Sequence, residues 1–328
     1  MAKSKLKWGI AGLGRYAEHS FIPTMSSFRR SLISSVFSND INRAKNIAEK
    51  FGINGKFNNY DEFLNSDIDT VYIGSANLHH YEQVIKAAEA GKNVLCEKPL
   101  ALNSIQAEEM VKTCREKNVL FAVNYLYRFH PQIIKTKELI ENKLLGKIVS
   151  INLSFNIDLP PGDNFRHNKE LSGGGALRDL GTHLIDILRF LGGEFNILDG
   201  TVDSIIYKSG VDDFASALVK FKKSGYGYFS CSYNSKKAFN RIEILGNKGV
   251  IGIDSFIGAK HSSSKMTIML EGEAKRTFRK RGNKLYYLLK SVQKSFLLNE
   301  EPLITGYDGY VNLKLMEELE KKSLQENN

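Results

Sequence analysis

Asp179, His183 and Asp186 are spaced four and three residues apart, so on a helix all three project from one face. Imidazole titrates near neutral pH, which makes a histidine among carboxylates a natural general acid/base. Just before them, Gly173-Gly174-Gly175 allows close backbone approach, so the three side chains are expected to point at whatever that loop admits. Two other readings stay open: a metal site, which lacks a further ligand cluster, and a structural His-Asp pair. A second group is Cys96-Glu97-Lys98-Pro99-Leu100 at the end of a predicted strand. A strand-end lysine is commonly a surface charge, but an amine placed there can also stabilise a developing alkoxide or take part in proton transfer.

A third group is Gly12-Leu13-Gly14-Arg15-Tyr16-Ala17, directly after the first predicted strand. That is the setting a dinucleotide fingerprint requires. Gly12 permits the tight turn, Gly14 lets the backbone approach a diphosphate, and Ala17 keeps helix and sheet close. The first helical turn, with Arg15 and Tyr16, then offers its amides to the phosphates. The ribose is expected near Ser38-Asn39-Asp40, about 20 residues further on. Ser38 carries no carboxylate to repel a 2′-phosphate, so either NAD or NADP fits, with a lean to NADP. Arg43 could pair with that phosphate, and Asp40 either reaches the ribose or caps the next helix.

The elements that must position these groups alternate. Residues 6–11, 32–37, 70–73, 93–96 and 120–123 read as short buried strands. Amphipathic stretches over 15–26, 41–51, 77–90 and 105–117 separate them. Gly52 and Gly91 close two of these helices, Asn77 is expected to cap another, and Asn103 with Gln106 reads as a capping box. Such βα units predict a doubly wound parallel sheet, a Rossmann domain over 1–124. Beyond it, helices over 131–142 and 176–191 accompany strand-like segments over 147–155 and from 195 to about 253. That pattern predicts an α+β domain over 125–328, with a large mixed, mainly antiparallel sheet and a docked C-terminal helix.

Composition narrows the classes. The 328 residues include 46 Lys+Arg against 36 Asp+Glu, a formal net charge of +10. Between Lys275 and Lys294 eight cations occur with no acid, either a solvated face or a site for a phosphorylated or nucleotide-linked substrate. No zinc-finger or RNA-binding motif supports nucleic acid, and no apolar run approaches a membrane span. Cys96, Cys114 and Cys231 lie far apart, which excludes a disulfide scaffold and a clustered thiolate metal site. With no signal-like apolar stretch at the N-terminus, the expected location is the cytoplasm.

G-x-G-x-x-A, E-K-P, N-Y-x-x-R-F-x-P and G-G-G-A-x-x-D-x-G-x-H occur here in one order. In this the chain resembles the glucose–fructose oxidoreductase/inositol dehydrogenase (Gfo/Idh/MocA-type) family, densely over residues 6–190. The resemblance implies an NAD(P)-dependent oxidoreductase of a sugar, cyclic polyol or related hydroxyl/carbonyl compound. It implies Lys98 at substrate and cofactor beside Glu97, His183 as acid/base, and Asp179 orienting substrate. Asn77 and His80 match a P-N-x-x-H stretch near the nicotinamide, with Ala76 replacing its proline. Asn124 and Arg128 match the segment joining the domains and, with Arg166 of loop 158–169, are expected at the substrate. A homodimer or homotetramer and no resident metal are also implied. Fold alone does not establish function, so a non-catalytic NAD(P)-binding sensor is the alternative.

Overall fold

The computed structural model describes residues 5–256 and 263–326, of which residue 326 only by its backbone. By packing, the chain divides into one unit of Met1–Tyr125 with Leu285–Leu313, and another of Leu126–Lys284 with Lys314–Asn328.

In the first unit the strands are β1 (Leu6–Ala11), β2 (Ser31–Phe37), β3 (Gly55–Phe57), β4 (Thr70–Ile73), β5 (Asn93–Cys96) and β6 (Phe121–Val123). They form one parallel sheet in the order β3-β2-β1-β4-β5-β6. The order reverses beside β1, the switch point where open α/β sheets bind ligands. Its connecting helices are α1 (Ile22–Ser26), α2 (Ile41–Phe51), α3 (Tyr60–Leu64), α4 (His80–Glu89) and α5 (Ser104–Glu116). Before α1 the chain is already helical through a π-turn, Ala17–Phe21. Gly52 and Gly91 take the left-handed conformation expected of helix ends.

Three local expectations need correcting. Asn77 does not cap α4; it opens a 3-10 turn whose N-cap is Ala76, and α4 begins at His80. The Asn103 side chain accepts from the Gln106 amide as expected, but Gln106 reaches back to the Leu102 amide, not to Asn103. Residues 285–313, expected in the second domain, pack with the first unit. There Phe296 stacks on Trp8, Tyr286 stacks on Phe28, and Gln293 donates to the Ser31 hydroxyl. The buried Trp8 indole thus takes apolar cover from Phe296 as well as from Phe21.

The second unit holds α6 (Pro131–Glu141), β7 (Ile148–Asn156), α7 (Lys169–Ser172), α8 (Thr182–Gly192) and seven more strands. These are β8 (Phe195–Asp203), β9 (Phe214–Phe221), β10 (Tyr226–Ser232), β11 (Arg241–Gly246), β12 (Gly249–Asp254), β13 (Ser264–Leu270) and β14 (Arg276–Lys280). The eight-stranded sheet runs β14-β13-β12-β11-β7-β10-β9-β8, with only β7 and β10 parallel. Alternation buries Ile151, Leu153, Ala217, Val219, Phe229 and Ile244 on one face, where α8 packs. Two helices follow, α9 (Lys284–Leu298) and α10 (Gly306–Glu326), and Arg178 ties the end of α10 by a two-point ion pair with Glu320. Among the described residues no helix is long and apolar enough to cross a membrane.

Candidate active site

In the first unit the glycine turn emerges from β1. Gly12 has φ +87°, and a Cβ there would lie 2.2 Å from the Ser75 amide nitrogen and 2.4 Å from the Gly74 carbonyl carbon. Only glycine fits. Gly14 has nothing within 4 Å of its Cβ position, and Arg15 opens the helix beside it. Open space at Gly14, ahead of a helical N-terminus, fits a diphosphate. Arg43 does not stand ready for a phosphate: its guanidinium donates to the Leu13 carbonyl through Nε (2.9 Å) and Nη2 (2.8 Å) and also pairs with Glu18. With Lys50 it holds the Glu18 carboxyl down at about 2. Arg43 therefore clamps the glycine turn from below.

Ser38 directly follows β2 and is half-buried, and its hydroxyl accepts from the Asp40 amide. Asn39 is exposed beside it. Asp40 caps α2 by accepting from the Asn42 amide at 2.9 Å. Of the two readings for Asp40, capping is the one the structure shows.

At the end of β5, Glu97 and Lys98 are both half-buried. Glu97 accepts from the Tyr72 hydroxyl (2.9 Å) and from Asn124 Nδ2 (2.5 Å). Burial raises its carboxyl, while the Asn124 bond, the Lys98 charge and Tyr72 oppose that rise. Asn124 is fully buried, donating also toward the Tyr16 hydroxyl at 3.4 Å. Asn124, expected at the substrate, therefore supports the Glu97 side chain. His80, expected near the nicotinamide, is also enclosed by protein. It is fully buried, with Nδ1 3.0 Å from the Pro99 carbonyl and Nε2 3.2 Å from that of Ser75. Burial lowers it to about 4, so a neutral ring spends its one N–H on this backbone. His80 ties down the peptide that follows Lys98. Asn77 is nearly buried in the turn ahead of it.

In the second unit the triple-glycine loop admits a carboxylate of the chain itself. Asp212 accepts from the amides of Gly175 (2.6 Å) and Leu177 (2.7 Å), and its carbonyl accepts from Ala176. A Cβ on Gly175 would sit 1.9 Å from the Asp212 carbonyl oxygen. Asp212 thus caps the helical run that carries Asp179 and His183 and takes up amides at the end of the loop. Leu177–Gly181 is a π-turn leading into α8, which sets the spacing of these two side chains.

Asp179 is half-buried and accepts from Arg166 Nε at 3.0 Å. The His183 ring, 6% exposed, meets Tyr127 edge-on, with centroids 4.8 Å apart and planes at 83°. Burial and then the Asp179 charge raise the Tyr127 phenol, and the same two causes raise that of Tyr233. Asp186 faces the protein: its carboxylate takes Arg128 Nε (2.8 Å) and Nη2 (2.6 Å), with side-chain exposures of 7% for Arg128 and 1% for Asp186. Arg128, expected at the substrate, is here buried against a carboxylate. Among the described residues no three His, Cys, Asp or Glu side chains stand together as a metal site.

Arg166, Asp179 and His183 thus belong to one unit, and Gly12, Gly14, Glu97 and Lys98 to the other. Sequence reasoning missed Asp212, Tyr127 and the clamping role of Arg43. Tyr127 falls on an unspecified position of N-Y-x-x-R-F-x-P, and Asp212 lies outside every motif, so neither left a signal.

A family model described as an oxidoreductase family with an NAD-binding Rossmann fold matches residues 6–125, and the model of its C-terminal domain matches 133–252. The chain is 27% identical to the myo-inositol 2-dehydrogenase of Thermotoga maritima over 344 aligned residues, covering 98% of this chain and 97% of that one. It is 30% identical to the trans-1,2-dihydrobenzene-1,2-diol dehydrogenase of Xenopus laevis over 254 residues, 76% of each chain. Its fold matches that of a levoglucosan dehydrogenase solved with NADH and levoglucosan, with TM-score 0.89, 22% identity and 98% of both chains covered.

Proposed function

The chain belongs to the Gfo/Idh/MocA-type oxidoreductase family, and from that premise we propose that it interconverts a hydroxyl and a carbonyl on a sugar, cyclic polyol or related compound, using NAD or NADP. The nicotinamide, when bound, supplies the acceptor or donor of hydride. The protein's part is to bind, orient and handle the proton. Gly12, Gly14 and the first turn at Arg15 and Tyr16 would hold the diphosphate, and Ser38 and Asn39 the adenosine ribose. Ser38, with no carboxylate of its own, supports NADP over NAD.

His183 takes the substrate hydroxyl proton at an imidazole nitrogen in the oxidative direction and returns it in the reductive one. Lys98, at the end of β5, stabilises negative charge on substrate oxygen. Asp179, braced by Arg166, orients the substrate. The single observation that carries this reading is the construction of one helix: Asp212 caps its start, Arg128 grips Asp186, and the imidazole between them is set against Tyr127. Such rigid support is what a proton-transfer group needs.

We also propose a homodimer or homotetramer. The face of the large sheet opposite α8 carries exposed Leu218, Tyr228, Leu245 and Met269, an apolar surface fit for a second copy. Three separate buried thiols suit the reducing cytoplasm. The activity is tested by incubating the purified protein with NAD⁺ or NADP⁺ and a panel of aldoses, inositols and anhydrosugars. Reduced nicotinamide should appear by absorbance with at least one; none across the panel, in either direction, would refute the reading.

A further inference from the structure

The acid-free basic run at 275–294 behaves unevenly in the structure. Lys275, Arg276, Arg279, Lys280, Arg281, Lys290 and Lys294 are exposed, whereas Lys284 turns inward and is half-buried. Its ammonium lies 4.8 Å from the centroid of the Tyr127 ring, whose edge contact with His183 has the same separation. One aromatic ring is therefore contacted both by a partly desolvated cation and by the proposed acid/base. Burial lowers the Lys284 ammonium, and its charge joins burial in lowering nearby His130.

The other inward cations of this unit are answered by carboxylates. Arg128 pairs with Asp186, Arg178 with Glu320 and Arg189 with Glu194. Among the described residues Lys284 has no carboxylate within ion-pair distance, and only an aromatic face receives it. A ring attracts a cation but does not neutralise it. A buried charge is ordinarily matched, and the match for an ammonium is an anionic oxygen group.

We propose that Lys284 selects the substrate, its ammonium receiving a carboxylate or phosphate carried by the sugar that His183 acts on. The inference rests on the proposed activity and deepens it. The favoured substrates are sugar acids or sugar phosphates, and the neutral parent compounds are poor ones.

The experiment uses the full chain and matched sets: glucose, glucuronate and glucose 6-phosphate, with the galactose and myo-inositol counterparts. Binding is read as the shift in melting temperature of the cofactor-loaded protein, and turnover as reduced nicotinamide. One anionic member of a set should exceed its neutral parent by about tenfold or more in binding and in kcat/KM. The uronate and phosphate arms show which anion is preferred. Lys284→Met, which keeps the stem over Tyr127, should erase that advantage through KM and leave the neutral parent unchanged, while Lys284→Arg should retain it. Equal or better use of neutral sugars, an anion preference that survives Lys284→Met, or an equal loss for charged and neutral members would each overturn the proposal. Lys284-dependent binding without turnover would instead defeat the proposed activity and leave this subsite standing.

Discussion

Arg128 and Asp186 form a two-point ion pair, nearly closed to solvent, three residues along α8 from His183. The helix carrying the proposed acid/base is thereby anchored to the turn Leu126–Phe129. Removing one partner strands a buried charge. Asp186→Ala should lower unfolding stability by about 3–5 kcal/mol, whereas Arg128→Met with Asp186→Leu should recover most of that loss. Urea unfolding of the three proteins decides it; equal stability of Asp186→Ala and the parent would remove the anchoring role.

Lys98→Ala and His183→Ala should each reduce turnover by about a hundred- to ten-thousandfold. Cofactor affinity, read by nicotinamide fluorescence, should stay nearly constant. Near-parental turnover in both variants would refute the assignment of these two groups.

Arg43 and Ser38 separate holding the turn from choosing the cofactor. Arg43→Met loses the bonds to Leu13 and should weaken NAD and NADP alike, by roughly fivefold. Ser38→Asp should weaken NADP selectively, by at least about tenfold, through repulsion of the 2′-phosphate. Titration of each protein with both cofactors separates the two; unchanged selectivity in Ser38→Asp would move the ribose site elsewhere.

Stability should fall on mild acidification. His80 and His130 are both buried and lowered to about 4 from 6.5, by burial first in each case. Between those values the unfolded chain takes up protons that the folded rings refuse, so unfolding gains as pH drops through 6.5 toward 4 and levels off above 7. Each ring contributes about 3 kcal/mol across that window. Denaturation midpoints at pH 7.5 and pH 5 should differ accordingly, and His80→Asn should reduce the difference. Equal midpoints would mean that these rings titrate normally.

Self-association through the open sheet face predicts a light-scattering mass at least twice that of one chain, 36.9 kDa. Tyr228→Glu, on that face, should return the mass toward one chain. A monomeric parent protein would dismiss the interface.

Most elements were legible from the chain because their signals are local. A helix of 41–51 is written in its apolar spacing, in Asp40 before it and in Gly52 after it, all within one short segment. The glycine turn was legible for the same reason, since Gly12 needs only its own backbone and its adjacency to β1. Motifs flag both His80 and His183 but do not give their burial: His183 retains 6% exposure, whereas His80 is enclosed by the Ser75 and Pro99 backbone.

Residue order alone determined the βα alternation, the turn glycines and the pairing of Asp179 with His183 on one helical run, because periodicity, capping and backbone permission depend on near neighbours. Tertiary structure decided that Asp212 takes up amides at the end of the triple-glycine loop, that Arg128 belongs to Asp186, that residues 285–313 pack with the first unit, and that Lys284 comes to Tyr127. Those partners lie dozens to hundreds of positions apart, and which cation meets which carboxylate or ring is set only when packed surfaces bring them within a few ångströms.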